Sequence, residues 1–127
     1  MNSVSLLIAG DYSPKERLQT LIDNKKFEDI FPRLKELFSS VNYSIVNFES
    51  TIPNVESVPI PKIGSHLSTS ESSLQPLKLL GVDMLTMAHN HILDYGDDAL
   101  INTIDIVTRN GFDIVGVGRN AKVARLP

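Results

Sequence analysis

Four short apolar runs alternate along the chain with longer stretches in which apolar residues recur at helical spacing. The runs extend over Val4 to Asp11, Tyr43 to Ser50, Val82 to Thr86 and Phe112 to Gly118. Continuous apolar runs of this length are typical of strands that are buried in a parallel sheet. We therefore predict four strands, each followed by a polar turn.

The intervening stretches carry the start and stop signals of helices. Ser13 opens the first, residues 32–38 form the second, and Gly96 to Arg109 forms the last. Pro76 predicts a late start or a kink in the third, and Gly81 is its expected C-cap. The alternation predicts a single α/β domain over residues 1–127, a mostly parallel sheet with helices packed on its faces.

The segment from Met87 to Gly96 joins the third predicted strand to the last helix. The carboxyl edge of an open α/β sheet is where ligands bind, and His89, His91 and Asp94 in this segment can all ligate a metal. If the strand continues to His91, the two histidines share a face. If a turn has begun they diverge, and only one of them points at the site.

Polar residues also follow the first two strands, and more of them lie in the segment from Met87 to Gly96, which we call the central segment. Asp11 ends the first strand, Asn47 and Glu49 end the second on one side, and Asn90 lies between the histidines. Together with His91, these oxygen donors could hold a divalent metal that activates water and clamps an anionic group. Alternatively, His91 is a general acid, or the cluster only closes hydrogen bonds within the fold.

The loop of residues 51–68 contains three prolines, Gly64 and His66. Loops of this length in compact domains are often functional, so His66 either joins the site or is simply an exposed histidine. The stretch from Gly116 to Asn120 resembles a glycine-rich phosphate loop only superficially, because the third glycine and the following helix are lacking.

Composition excludes several classes of protein. The absence of cysteine rules out disulfides, thiolate zinc sites and cysteine nucleophiles. The net charge of −3 argues against nucleic acid as a partner. Because neither a long apolar run nor a signal-peptide pattern is present, we expect a cytoplasmic protein, or an association with the cell envelope if a leader has been removed.

Four ordered motifs give the chain a family resemblance. They are Gly10-Asp11, Asn47-Phe48-Glu49-Ser50, Ala88-His89-Asn90-His91 with Asp94-Tyr95-Gly96, and Gly116 to Asn120 with Ala124 and Pro127. In this order they resemble the bacterial capsule synthesis protein CapA family of poly-γ-glutamate biosynthesis, whose fold is that of calcineurin-like metallophosphoesterases. Two departures are visible: His89 stands where the family usually has Asn, and Asp11 lacks the Asp-x-His pattern of ordinary phosphoesterases.

The resemblance implies the N-terminal half of an αββα sandwich with a site at the carboxyl ends of the strands. It implies a divalent metal, Mn²⁺, Zn²⁺ or Mg²⁺. The metal ligands would be Asp11, Glu49, Asn90 and His91; the catalytic residues His91 and Asp94; and the substrate-binding residues Asn47, His89, His66 and Asn120.

Three functions follow as hypotheses. The first is a metal-dependent hydrolase-type domain of capsule biosynthesis that acts on an anionic polymer or phosphoester. The second is a non-catalytic accessory or scaffold protein of capsule polymer synthesis, and the third is a plain α/β domain. The family continues well past the last motif, so we expect a chain truncated at its C-terminus. Such a chain would leave apolar surface uncovered and either self-associate or depend on its missing half.

Overall fold

The computed structural model describes residues 3–125, and within them four strands form one parallel sheet. The strands lie side by side in chain order: β1 (Leu6–Tyr12), β2 (Tyr43–Phe48), β3 (Met84–Thr86) and β4 (Asp113–Val115). All four were predicted. The last is shorter than expected because Gly116 turns the backbone with a φ of +88°.

Four α-helices connect and cover the strands. They are α1 (Glu16–Asp23), α2 (Lys35–Ser39), α3 (Gln75–Leu80) and α4 (Gly96–Arg109), with 3₁₀ turns at Phe27–Asp29, Glu71–Leu74 and Val123–Arg125. The first helix begins later than the sequence indicates, because Lys15 remains extended as its N-cap. Pro76 delays α3, and Gly81 ends it in the left-handed conformation, as predicted.

The helices cover one face of the sheet. In β2 every second residue from Ser44 to Phe48 is buried, and the intervening residues are partly exposed. On the covered side, Val46 and Leu85 pack with Leu77 and Val107 of the helices in one hydrophobic core. The predicted α/β class is therefore confirmed, and a four-stranded parallel sheet with helices on one face is consistent with half of a metallophosphoesterase-like sandwich.

The opposite side of the sheet is apolar and uncovered by the residues described. Leu6 and Ile8 are 54% and 69% exposed, and Ile45 and Met84 beside them are only partly buried. These four side chains form what we call the open sheet face. Parallel sheets are usually covered on both sides, so this face is unusual for the surface of a protein.

Among residues 3–125, no helix has the length and apolar character needed to cross a membrane.

Candidate functional site

The strand register brings three polar residues into one row at the carboxyl edge of the sheet. Asp11 pairs with Asn47, and Asn47 pairs with Thr86. Asn47 Nδ2 donates to Asp11 Oδ1 over 2.7 Å, and Thr86 Oγ1 donates to Asn47 Oδ1 over 2.9 Å. We call these residues the polar row. The predicted convergence of strand ends is therefore present for Asp11 and Asn47.

The central segment leaves β3 as a series of tight turns. The N–H groups of Ile92 and Asp94 donate to the carbonyls three residues before them, at 3.3 and 3.1 Å. Thr51 Oγ1 holds the segment from the side by donating to the His91 carbonyl over 3.0 Å. A turn has thus begun before His91, so the two histidines do not share the face of a continuing strand.

His89 points inward and supports the turn. Its Nδ1 accepts the His91 N–H over 3.2 Å, which is the bond that an Asn side chain makes in an Asx-turn. The His89 side chain therefore closes the turn as an Asn side chain could. Its Nε2 is enclosed close to the Phe48 carbonyl, but no atom of residues 3–125 meets it in hydrogen-bond geometry.

Burial has the largest effect on the His89 imidazole and lowers its pKa, and the neighbouring His91 lowers the pKa further. The ring is therefore neutral at pH 7. The nearby Phe48 carbonyl and, less strongly, the carboxylates of Asp94 and Asp11 act in the opposite direction on the same pKa.

His91 and Asp94 form a hydrogen-bonded pair. Their spacing of three residues puts both on one side of the turn, with His91 Nδ1 and Asp94 Oδ2 2.8 Å apart. A carboxylate at this distance requires the proton on Nδ1. Within residues 3–125, Nε2 has no partner, and it is not enclosed by protein. His91 therefore presents Nε2 as the free nitrogen.

The Asp94 side chain is 1% exposed, and three hydrogen-bond donors compensate its buried negative charge. Besides His91, Lys62 Nζ donates to Oδ1, and the Leu67 N–H donates to Oδ2 over 2.7 Å. Burial alone would raise the pKa of Asp94, but these hydrogen bonds, that from Lys62 first, hold it below its usual value. Asp94 is therefore a buried carboxylate ion that orients His91.

The loop of residues 51–68, which we call the proline-rich loop, covers this pair. The Ile60 N–H donates to the Asp94 carbonyl over 2.9 Å, and Lys62 comes from the same loop. His66 lies beside Ile60 and Tyr95: its Nε2 is 2.7 Å from the Ile60 carbonyl, and its ring packs edge-on against Tyr95. His66 thus braces the loop that covers Asp94.

The remaining predicted site residues make separate contacts of their own. Glu49 follows β2, is partly buried, and its N–H donates to the Tyr12 carbonyl over 3.0 Å. Asn90 is exposed beside His91. Asn120 Oδ1 accepts hydrogen bonds from the N–H groups of Lys122 and Val123 at 3.0 Å each, so its side-chain oxygen caps the last turn.

The predicted donor side chains do not form a divalent metal site within residues 3–125. Among residues 3–125, no three His, Asp or Glu side chains come together in a way that could hold a metal ion. The oxygen and imidazole donors are of the right chemical type, but their positions in these residues do not make a complete site. No reaction step is therefore derived through a metal.

Two residues of the site were not found from the sequence. Lys62 lies in an irregular loop 32 positions before Asp94, and nothing in the local pattern links them. Thr86 was treated only as the end of an apolar strand. Its polar end position was the one available signal, because a hydroxyl beside Asn47 in the adjacent strand can extend a polar row.

The sequence was compared with those of known proteins. A family model described as bacterial capsule synthesis protein PGA_cap matches residues 5–127. The PGA biosynthesis protein CapA of Bacillus subtilis (strain 168) is 25% identical over 122 residues, which are 96% of this chain and 32% of that protein. The capsule biosynthesis protein CapA of Bacillus anthracis is 24% identical over 121 residues, which are 94% of this chain and 29% of that protein. The chain thus spans about a third of the length of these relatives.

Proposed function

Because the chain belongs to the bacterial capsule synthesis protein family, we propose that its sheet edge is part of a metal-dependent hydrolase-type site of capsule or poly-γ-glutamate biosynthesis. The substrate class is an anionic polymer or a phosphoester. The observation that carries the proposal is the His91–Asp94 pair, with one ring nitrogen held by a buried carboxylate and the other free.

His91 is assigned a role in proton transfer. With the proton fixed on Nδ1 by Asp94, the neutral ring offers a lone pair at Nε2, and the charged ring offers a proton there. Asp94 stabilises the charged ring without itself taking up a proton, because its pKa is held low. His91 can therefore protonate a leaving oxygen or deprotonate water, according to the state in which it meets the substrate.

The acidic and amide side chains around His91 are assigned to the metal and the substrate. Asp11, Glu49 and Asn90 would supply oxygen ligands, and His91 is a further candidate ligand. Since these positions do not form a complete site, the proposal includes ligands from outside this chain.

Four side chains are assigned to substrate contacts, and their positions differ. Asn47 lies in the polar row beside Asp11, and this position at the sheet edge supports its assignment. His89 lies beneath the turn, and His66 lies on the loop that covers Asp94. Asn120 would contact a substrate through its amide nitrogen, because its oxygen caps a turn.

The test combines metal titration with turnover. Melting curves and calorimetry with Mn²⁺, Zn²⁺ and Mg²⁺ would be recorded for the wild type, Asp11→Asn and the matched control Asp105→Asn, whose carboxylate pairs with an exposed arginine. We expect a metal-dependent rise in Tm that Asp11→Asn reduces and Asp105→Asn retains. Hydrolysis of a phosphoester probe should fall at least 100-fold in His91→Gln. Equal metal responses in Asp11→Asn and wild type would contradict the assignment of the metal ligands.

A non-catalytic accessory protein is the second candidate. It is favoured by the incomplete set of metal ligands and by the open sheet face, which offers a surface for another polypeptide. This reading predicts binding to a component of capsule synthesis with no turnover and no metal response. Binding that survives His91→Gln while no activity is found in any form would support it.

A further inference from the structure

We propose that Lys62 is a positioning residue for His91 and acts through the Asp94 carboxylate that both side chains contact. The inference rests on the proposed role of His91 in proton transfer, and it adds a residue from the proline-rich loop to that site. Lys62 Nζ donates to Asp94 Oδ1 and lies 3.3 Å from His91 Nδ1. The lysine side chain is only 22% exposed, so it is not an ordinary surface lysine.

The two oxygens of Asp94 have separate partners. Oδ1 accepts from Lys62, whereas Oδ2 accepts from His91 Nδ1 and from the Leu67 N–H. Because a carboxylate group is planar, fixing Oδ1 also fixes the direction in which Oδ2 points. Lys62 on Oδ1 and the Leu67 N–H on Oδ2 therefore fix the acceptor for His91 together, although Lys62 makes no contact with the free nitrogen of that ring.

Asp94 and Lys62 favour different roles for the Nδ1 atom of His91. The Asp94 carboxylate can only accept, so at 2.8 Å it requires a proton on Nδ1, whereas the Lys62 ammonium can only donate, so at 3.3 Å it makes no hydrogen bond to a protonated Nδ1. Lys62 therefore acts on His91 by holding Asp94 and not by a bond of its own to the ring. A reversed ring would place a C–H group against this carboxylate and lose the bond. The contacts thus select the arrangement in which Nε2 is free.

The loop presents Lys62 on a constrained backbone. Pro59 and Pro61 flank Ile60, and each fixes its own φ and favours an extended residue before it. The Ile60 N–H and carbonyl are both engaged, by the Asp94 carbonyl and by His66 Nε2. Lys62 follows directly after this segment. Asp94 therefore contacts both the proline-rich loop and His91, so the position of the loop affects the orientation of His91.

The test reads the tautomer of His91 directly. The full chain would be labelled with ¹⁵N-histidine, and the His91 signals would be identified by their loss in His91→Gln. In the wild type we expect one set of His91 ring signals, with a proton on Nδ1. Lys62→Met should lose this single signature, Lys62→Arg should restore it at least in part, and Lys78→Met is the control, because Lys78 meets only an exposed amide oxygen at 3.4 Å.

The outcomes separate positioning from simple support of the fold. If Lys62→Met melts at a lower temperature but keeps the wild-type His91 signature, Lys62 only stabilises the loop and the proposal is overturned. The same conclusion follows if Lys78→Met disturbs the signature equally. If Lys62→Met does not fold, Lys62→Gln, which retains an N–H donor at shorter reach, gives the same comparison. The readout needs neither metal nor substrate, so it stands even if hydrolysis proves absent.

Discussion

Replacing Asp94 by Asn tests the energetic basis of the site with little change in shape. The variant leaves the Lys62 ammonium partly buried without its counter-charge, and it puts a neutral amide against His91 Nδ1. The amide oxygen can still accept from the Leu67 N–H. We therefore expect a folded but clearly destabilised protein in which His91 is no longer held in one orientation.

The size of the effect follows from the contacts. Hydrogen bonds to charged groups contribute about 1.5–3 kcal/mol each, and breaking a buried ion pair costs about 3–5 kcal/mol. Because one acceptor remains and Lys62 can turn toward water, we expect a loss near the lower end, about 3 kcal/mol. For a chain of this size that corresponds to a fall in Tm of roughly 10 °C.

The pH dependence has a definite sign. The pKa of Asp94 is lowered in the folded state, so its stabilising effect is complete above the unfolded value, about 4, and is lost as the pH falls through the folded value. The difference in unfolding free energy between wild type and Asp94→Asn should thus shrink as the pH falls below about 4.

Urea denaturation between pH 3 and pH 7 measures this difference directly. Asp105→Asn is the control for the loss of an exposed carboxylate, and exposed pairs contribute at most about 1 kcal/mol. A loss below 1 kcal/mol in Asp94→Asn, or a difference that does not change with pH, would refute the reasoning, because it would mean that the ion pair is compensated by water.

Three further predictions concern the sheet and its edges. Gly116→Ala should destabilise the fold by at least about 2 kcal/mol in urea denaturation, because its φ is +88° and a new Cβ would lie 2.7 Å from the Ala88 Cβ; a neutral effect would show that the turn is not fixed. The hydrogen bond to Asp113 raises the pKa of Tyr43 to about 12, so an ultraviolet titration should show one tyrosine moving toward pH 10 in Asp113→Asn, and an unchanged titration would contradict this. The accessible surface of 7967 Å² exceeds the roughly 6,700 Å² expected for a folded monomer of 14.0 kDa. We therefore expect concentration-dependent self-association in sedimentation equilibrium that Ile8→Lys reduces; a wild-type chain that stays monomeric at high concentration would contradict it.

The order of strands and helices could be predicted from the sequence because the spacing of apolar residues depends on local secondary structure. Apolar runs, helical spacing and the residues Pro76 and Gly81 were sufficient to predict the order of strands and helices. The position of Asp11 and Asn47 at strand ends also followed, since parallel strands place their carboxyl ends at one edge. The fourth strand was overestimated, because a Gly-containing turn inside an apolar run has no distinct period.

The details of the site were less accessible. The direction of His89 and His91 depended on where β3 gives way to a turn, and two residues of the same type give no signal for that point. The predicted metal ligands occupy strand ends, but a shared edge fixes their neighbourhood and not the ångström-scale distances that a cation requires. Lys62 was missed because its partner is distant in sequence and its loop has no periodicity.

By itself, therefore, the sequence determined the α/β class, the order of the elements and the edge of the sheet at which polar chemistry collects, because each of these depends on side-chain spacing within a single element. Only the tertiary structure decided which nitrogen of His91 is free, which cation compensates the charge of Asp94, and which face of the sheet the described residues leave uncovered. The pairing of Asp94 with Lys62 depends on a contact between segments 32 residues apart, whereas His91 and Asp94 are only three residues apart and their pairing depends on the course of the turn. Packing sets the geometry of both contacts.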